Sequence, residues 1–116
     1  MTVVIKRAYD TTAADGYRVL VDKLWPRGVS KAEAKLDDWL KDAAPSSEPL
    51  RKAFHGGELA WGEFRRRYLS ELSAHQEALR ELAKRGREHK VTLVYGAKDE
   101  RHNNAQVLKQ YLAMLK

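Results

Sequence analysis

The sequence predicts a small three-layer α/β domain, in which a mostly parallel sheet of about four strands is flanked by helices. Three observations lead to this fold class. Short apolar runs typical of strands occur early in the chain and again near its end. Between them lies a long segment in which apolar residues recur every three or four positions, as in amphipathic helices. A polar loop and one more such helix follow the last strand, an order typical of α/β folds.

Four segments have the pattern of strands. The first begins at Val3, and the second, residues 17–24, is nearly continuous in its apolar content, so we predict a central position for it. The link between them is shorter than the crossover of about a dozen residues that parallel neighbours need, so they are either an antiparallel pair or not neighbours. Residues 36–40 fit a continued helix or a short edge strand, and we prefer the strand. Residues 91–95 form a β-rich run typical of a buried strand.

The first two predicted helices are short. The S-x-x-E pattern at residues 30–33 resembles a capping box and predicts a helix that runs to Ala34. A second helix begins at Ser46 or Ser47, and two glycines at residues 56–57 close it.

A longer helical segment begins at Glu58. Ser73, three residues before Gln76, resembles a new N-cap and predicts a break there. The helix after the break runs to Gly86, and the last helix of the chain begins near Ala105. The apolar stripe of the first long helix consists of Trp61, Phe64, Tyr68 and Leu72.

Length and composition limit the classes of protein to which the chain can belong. The chain of 116 residues suffices for one domain, residues 1–116, but not for a separate substrate lobe. The absence of cysteine excludes disulfides, thiolate metal sites and cysteine nucleophiles. No apolar run approaches the roughly 20 residues of a membrane span, and the N-terminal residues predict a strand rather than a signal peptide. We therefore expect a cytoplasmic protein with no membrane partner.

The chain is basic, with 22 lysines and arginines, 16 acids and a net charge of +6. This charge favours anionic partners through long-range attraction. Most of the cations alternate with acids along helices, so charge alone is weak evidence for nucleic-acid binding. The densest cluster, Arg65-Arg66-Arg67, lies beside Glu63 and Glu71.

The first candidate region for function is the end of the second strand. There the apolar run meets a lone acid, Asp22, and Pro26 then turns the chain into a loop that carries Arg27 and Lys31. Ligands of open parallel sheets bind beyond the carboxyl ends of the strands. We therefore predict acid–base work for Asp22 and anion binding for Arg27 and Lys31. Asp22 could instead cap the turn or pair with Arg27, and Arg27 could instead pin the loop by hydrogen bonds to backbone carbonyls.

The second candidate region is the loop after the last strand. Asp99, His102, Asn103 and Asn104 gather near the start of the last helix, where free amide N–H groups favour an anion or a polar ligand. We predict that Asp99 and His102 are catalytic and that the two asparagines bind the ligand, although Asn103 also fits an N-cap. Asp99 and His102 alone do not make a metal site. No pattern in the sequence identifies a cofactor.

These two regions share one crevice if the second and last strands are parallel neighbours. Arg65 is a further candidate ligand-binding residue, because it lies about 40° from Trp61 on a helical wheel, within or beside the apolar stripe. A guanidinium there needs a carboxylate, an aromatic face or an anionic ligand, unless it extends past Trp61 to solvent.

Four segments of the chain resemble, in the same order, the domain of unknown function 488 family in its short YeaO-like branch. They cover nearly the whole chain and read DGYRVLVDKLWPRGVSK, DDWLKDAAPS, WGEFRRRY and VTLVYGAKDERHNNA. The resemblance implies a compact α/β fold and no assigned activity. It includes Asp22, Arg27 and Asp99, which favours a functional crevice. It also includes residues 43–46, which implies that Ser46 reaches the same place on a third loop.

The chain departs from longer members of that family at three positions. Those members carry cysteine where this chain has Tyr95, and a Cys-His pair where it has Asn103 and Asn104. The departure argues against thiol-based or metal-based activity here.

Three functions remain open. The first, which we prefer, is a small enzyme or degenerate enzyme that binds a nucleotide or another phosphorylated small molecule. The second is a nucleic-acid-binding accessory protein with a basic helical face. The third is a homodimeric interaction module without chemistry, which an exposed apolar patch around Trp39 or Trp61 would favour. The basic face would comprise residues 65–67, Lys84, Arg85, Arg87 and Lys90.

Overall fold

Four strands form one sheet in which every neighbouring pair is parallel. The structure, a computed structural model, describes residues 2–10 and 14–115. The strands are β1 (Val3–Arg7), β2 (Tyr17–Leu20), β3 (Asp38–Trp39) and β4 (Val91–Tyr95). Their order across the sheet is β1-β4-β2-β3, so the last strand of the chain lies between the first two. The predicted small α/β fold is confirmed.

The position of β4 explains how a short link can join the first two strands. Both β1 and β2 run parallel to β4 and neither pairs with the other, so the second of the two predicted alternatives is correct. In this register Val91 lies opposite Val3 on one side and Tyr17 on the other. Because β4 has a neighbour at each edge and cover on each face, its residues are all buried.

Strand β2 ends four residues before the predicted boundary. The N–H group of Val21 still donates to the Val94 carbonyl at 3.0 Å, and the chain then leaves the sheet at Asp22. Lys23 and Leu24 are exposed. The preferred prediction for residues 36–40 is confirmed, since β3 is a short strand at the sheet edge.

The described residues form five α-helices, and none of these helices is long and apolar enough to cross a membrane. The capping box predicted at residues 30–33 is present, with reciprocal hydrogen bonds of 3.1 Å between Ser30 and Glu33. The helices are α1 (Lys31–Ala34), α2 (Glu48–His55), α3 (Trp61–Leu72), α4 (Gln76–Glu88) and α5 (Asn104–Met114).

The break between α3 and α4 is confirmed, but its predicted cap is wrong. A short 3-10 turn, Ser73–His75, separates the two helices. The hydroxyl of Ser73 donates to the Leu69 carbonyl at 3.2 Å, one turn back in α3, and no side chain caps α4. Ser73 therefore prolongs the hydrogen bonding of α3 rather than starting the next helix.

The main core lies between one face of the sheet and helices α2 to α5. Val19 of β2 and Leu93 of β4 point to this face, where they pack in one cluster with Tyr68 of α3, Leu79 of α4 and Leu108 of α5. All five side chains are inaccessible to solvent. Burial of this kind is the dominant favourable contribution to folding.

The other face of the sheet carries a thinner layer made of α1 and loops. Since side chains alternate across a strand, Leu20 and Val94 point to this face. They pack against Trp25, Leu36 and Trp39. The rings of the two tryptophans meet edge to face, with centroids 5.6 Å apart.

A buried ion pair connects the elements of this second layer. Arg18 of β2 places its Nη1 atom 2.6 Å from Oδ2 of Asp15 and donates from Nε to the Ala34 carbonyl at 3.0 Å. The Nζ atom of Lys6 lies 3.2 Å from the other carboxylate oxygen of Asp15. This network holds β1, β2 and α1 together where apolar packing is sparse.

Candidate functional site

Asp22 joins the carboxyl ends of β2 and β4. Its Oδ2 atom accepts the backbone N–H of Gly96 at 2.8 Å, and its Oδ1 atom accepts Nδ2 of Asn104 at 3.0 Å. The same amide nitrogen of Asn104 donates to the Val21 carbonyl at 3.1 Å. A Cβ atom at position 96 would lie 3.2 Å from Oδ2 of Asp22, so glycine permits this close approach. Two strands and the first turn of α5 thus meet at one carboxylate.

The environment of Asp22 changes its acidity. Burial raises the pKa of the Asp22 carboxyl above its ordinary value, because the charged form loses solvation. The hydrogen bonds from Asn104 and Gly96 and the positive charges of His55 and Arg51 lower this pKa, but they do not cancel the effect of burial. A carboxyl of raised pKa in a cavity is a common feature of functional sites.

A cavity of about 130 Å³ opens at Asp22, and we call it the Asp22 cavity. Arg51 and His55 of α2 line it together with two phenylalanines, Phe54 and Phe64, whose stacked rings have centroids 4.3 Å apart. It adjoins a larger cavity of about 830 Å³, which we call the outer cavity. The residues that line both cavities are Lys23, Leu24, Pro45, Ser46 and Arg51.

Five of the predicted site residues line the Asp22 cavity: Asp22, Ser46, His102, Asn103 and Asn104. Asn103 is almost fully buried and is the N-cap of α5, since its Oδ1 accepts the N–H of Gln106 at 3.0 Å. Its amide group donates to the Asp99 carbonyl at 2.9 Å, so both ends of the side chain have structural partners. Ser46 is buried as well.

Asp99 lies outside both cavities. One of its carboxylate oxygens accepts the backbone N–H groups of His102 and Arg101, each at 2.9 Å, and these bonds lower the pKa of Asp99. The other oxygen is 3.6 Å from Nδ1 of His102. The His102 ring packs on Trp61 with centroids 4.9 Å apart. Within residues 2–10 and 14–115, no cluster of three or more His, Cys, Asp or Glu side chains could hold a metal ion.

Arg27 and Lys31 are exposed and line neither cavity, so the predicted crevice does not include them. The reason is Trp25, whose indole N–H donates to the Val29 carbonyl at 2.6 Å and whose ring packs on the second face of the sheet against Trp39. This packing carries the proline loop away from the cavity immediately after Leu24.

Arg65 is also outside both cavities. Its Nε atom donates to Oε1 of Gln110 in α5 at 2.7 Å. The guanidinium beside the apolar stripe thus has a neutral amide partner on the neighbouring helix, and ligand binding by Arg65 stays a prediction.

Comparison with known proteins identifies the family. Residues 2–115 match the family model described as the inactive DUF488-N3 subclade. The chain belongs to the DUF488 family. It is 45% identical to the uncharacterized protein YeaO of Escherichia coli (strain K12) over 116 residues, which cover 99% of this chain and 100% of YeaO. It is 40% identical to the uncharacterized protein Rv3073c of Mycobacterium tuberculosis over 111 residues, 95% of this chain and 92% of that protein. No solved structure matches the chain.

The resemblance to the YeaO-like branch is thus confirmed, and the structure shows where this DUF488 chain departs from longer members. Tyr95, the last residue of β4, is buried in the main core. Asn103 caps α5, and Asn104 holds Asp22. Side chains that stabilise the fold thus occupy all three positions.

Sequence reasoning missed the contribution of α2 to this DUF488 site. Arg51 and His55 lie four residues apart and therefore on one face of the helix, the face that lines the Asp22 cavity. The spacing was visible in the sequence. The sequence did not show that this face turns towards Asp22, because the rotation of α2 depends on the packing of Leu50 and Phe54 in the main core.

The basic helical face is partly neutralised by neighbouring groups. Arg66 and Arg67 both pair with Glu63 on the exposed side of α3. The guanidinium of Arg85 lies over the Tyr17 ring, 3.9 Å from its centroid.

Trp39 and Trp61, whose exposure would have favoured a dimer interface, are partly buried. The large apolar side chains that are exposed within the described residues are Tyr9, Leu24 and Met114.

The raised pKa of Asp22 predicts a pH-dependent effect of Asp22→Asn on stability. A carboxyl whose pKa rises on folding stabilises the native state most at low pH, and this contribution is lost as the pH rises through the folded-state pKa. The amide does not titrate. We therefore expect the melting temperature of Asp22→Asn, relative to the unsubstituted protein, to increase between about pH 4 and pH 7.

Thermal unfolding followed by circular dichroism at several pH values measures this difference. Asp10→Asn, at an exposed position outside both cavities, is the control for the loss of one negative charge. A relative melting temperature of Asp22→Asn that falls as the pH rises would contradict the assignment.

Proposed function

We propose that this DUF488 protein binds a phosphorylated small molecule in the Asp22 cavity and the outer cavity, and that it does so without transforming the ligand. The observation that carries this proposal is Arg51, a cation at the junction of the two cavities. Its Nη1 atom donates to the Ser46 carbonyl at 3.0 Å, which fixes the side chain, and among the described residues it makes no ion pair. A guanidinium held in this way keeps other N–H donors for a phosphate group.

Further basic residues line the same cavities as Arg51. Lys23 lines both cavities, and His55 and His102 line the Asp22 cavity. The Nζ atom of Lys23 is 3.5 Å from Oδ1 of Asp42. This ion pair is exposed, so it contributes little to stability and can rearrange when a ligand binds. The positive net charge of the chain would also favour the approach of an anion. A cytoplasmic location, which we retain from the sequence, would give access to phosphorylated metabolites.

Binding without turnover is supported by the chemistry of the site. The family model that matches the chain is described as inactive. The chain has no cysteine, and Asp99 is engaged by backbone N–H groups outside both cavities. The other acid predicted to be catalytic, Asp22, accepts two protein hydrogen bonds, which suits it to hold a ligand donor rather than to transfer protons.

Isothermal titration with inorganic phosphate, ribose 5-phosphate, mononucleotides and a short oligonucleotide tests the proposal. We expect a phosphorylated small molecule to bind, and Arg51→Ala to weaken its binding roughly tenfold or more, because a charged hydrogen bond is lost. Arg80→Ala, at an exposed position of α4 outside both cavities, should bind like the unsubstituted protein. Mass spectrometry should recover the ligand unchanged.

Two results would overturn this proposal. In the first, only the oligonucleotide binds, its affinity falls steeply with salt and Arg51→Ala has no effect, as expected for the basic helical face. In the second, the bound molecule is converted to a product, which would make the protein an enzyme.

A further inference from the structure

We infer that the Asp22 cavity receives the guanine base of a guanine nucleotide, while the phosphates lie at Arg51 and in the outer cavity. This inference rests on the proposed function and names the ligand and its orientation. It follows from the size of the two cavities, the hydrogen-bonding capacity of Asp22 and the two phenylalanine rings.

The size of the two cavities divides the ligand into two parts. Cavities that hold a whole drug-sized ligand measure roughly 300–1,000 Å³. The outer cavity, at about 830 Å³, falls in this range, but the Asp22 cavity, at about 130 Å³, does not. The smaller cavity therefore has room for one flat base of the ligand but not for a base with its sugar and phosphates.

Electrostatics determines which part enters the smaller cavity. The carboxylate of Asp22 would repel a phosphate placed next to it, because like charges in a partly buried site interact strongly. Arg51 and Lys23, in contrast, line the junction with the outer cavity, where lysines and arginines outnumber the carboxylates four to three. A ligand with a phosphate at the junction and an uncharged base beside Asp22 avoids the repulsion by the carboxylate and gains the attraction of the two cations.

The walls of the Asp22 cavity suit a flat ring. Phe54 and Phe64 are stacked with an interplanar angle of 20°, and both line the cavity with Leu24 and Ala97. An apolar wall of this kind accepts any flat base and favours none of them. The choice among bases must therefore come from Asp22.

The hydrogen bonds of Asp22 select a ring edge with two donors. An ionised carboxylate is an acceptor only and offers about four acceptor positions on its two oxygens. Gly96 occupies one position on Oδ2 and Asn104 one on Oδ1, so each oxygen keeps one for the ligand. Guanine offers adjacent N–H groups at N1 and N2. Adenine and cytosine place an acceptor next to their amino group, and the N3–H of uracil lies between two carbonyl acceptors.

The test compares GMP, IMP, AMP, CMP, UMP and ribose 5-phosphate by isothermal titration. We expect GMP to bind about tenfold or more tightly than AMP, CMP, UMP or ribose 5-phosphate, with IMP between them because it lacks the N2 amino group. Asp22→Asn presents one donor and one acceptor. It should therefore lose the preference for GMP while it still binds ribose 5-phosphate.

Asp10→Asn is the matched control, since Asp10 is exposed and lies outside both cavities. It should keep the full preference for GMP. A melting scan of each variant shows that it is folded. If all five nucleotides and ribose 5-phosphate bind equally well, and Arg51→Ala weakens the binding of each, this inference is overturned and the proposed function stands. Failure of every compound to bind would overturn both.

Discussion

Gly16→Ala should destabilise the protein by roughly 3 kcal/mol, the sum of a backbone penalty and a steric one. Gly16 adopts φ +67°, a left-handed conformation that costs an L-residue about 1–2 kcal/mol. A Cβ atom there would also lie 2.4 Å from the Lys90 carbonyl oxygen. That oxygen accepts the N–H of Tyr17 at 3.0 Å at the start of the β2–β4 pairing, so it cannot move away without breaking the sheet.

Gly28→Ala is the control for the backbone penalty alone. Gly28 has φ +75°, but no atom lies within 4 Å of the position that its Cβ would take. We expect a loss of about 1 kcal/mol at this position. Urea unfolding measures both variants. Equal losses at the two glycines would show that the contact with Lys90 has no energetic importance.

Tyr68→Phe should destabilise the protein by about 2 kcal/mol, the cost of leaving a buried carbonyl without a donor. The Tyr68 hydroxyl donates to the Ala44 carbonyl, and both residues are inaccessible to solvent. Burial raises the pKa of the Tyr68 hydroxyl, as does the nearby carboxylate of Asp22, so the group remains a donor. This bond anchors the segment that carries Ser46, and the variant should also bind the ligand more weakly.

Tyr111→Phe is the control for the removal of a buried hydroxyl. Within the described residues, the Tyr111 hydroxyl is buried and has no hydrogen-bond partner. Its removal should change the free energy of unfolding by less than about 0.5 kcal/mol or increase it. Denaturant unfolding should thus place Tyr68→Phe well below Tyr111→Phe in stability. The reverse order would contradict the role of the Tyr68–Ala44 hydrogen bond.

The elements of this fold were predictable because their patterns are local. The apolar run at β4 and the helical spacing of α3 identify both elements without knowledge of their neighbours. The strand order was not predictable in this way. The insertion of β4 between β1 and β2 depends on pairing between residues far apart in the chain, such as Val3 with Val91. The end of β2 also depended on its neighbours, since the apolar residues up to Leu24 continue past the last pairing.

The candidate site was predictable where strand ends determine it. Asp22 and Asn104 follow two strands that are parallel neighbours, and the general rule for parallel sheets brings them together. The rule does not extend to residues further along a loop. Arg27 lies beyond Trp25, and the packing of that ring on the second face of the sheet directs the loop elsewhere. Arg51 was missed for a similar reason, because tertiary packing sets the rotation of its helix.

The stacking of His102 on Trp61 gives the protein an intrinsic optical reporter. The indole lies against an imidazole that lines the Asp22 cavity, and the two ring centroids are 4.9 Å apart. Trp25 and Trp39, in contrast, pack on the second face of the sheet, where the indole N–H of Trp39 donates to the Asp22 backbone carbonyl at 2.7 Å. A molecule that displaces the imidazole would change the emission of Trp61, so occupancy of the cavity can be followed by fluorescence without a label.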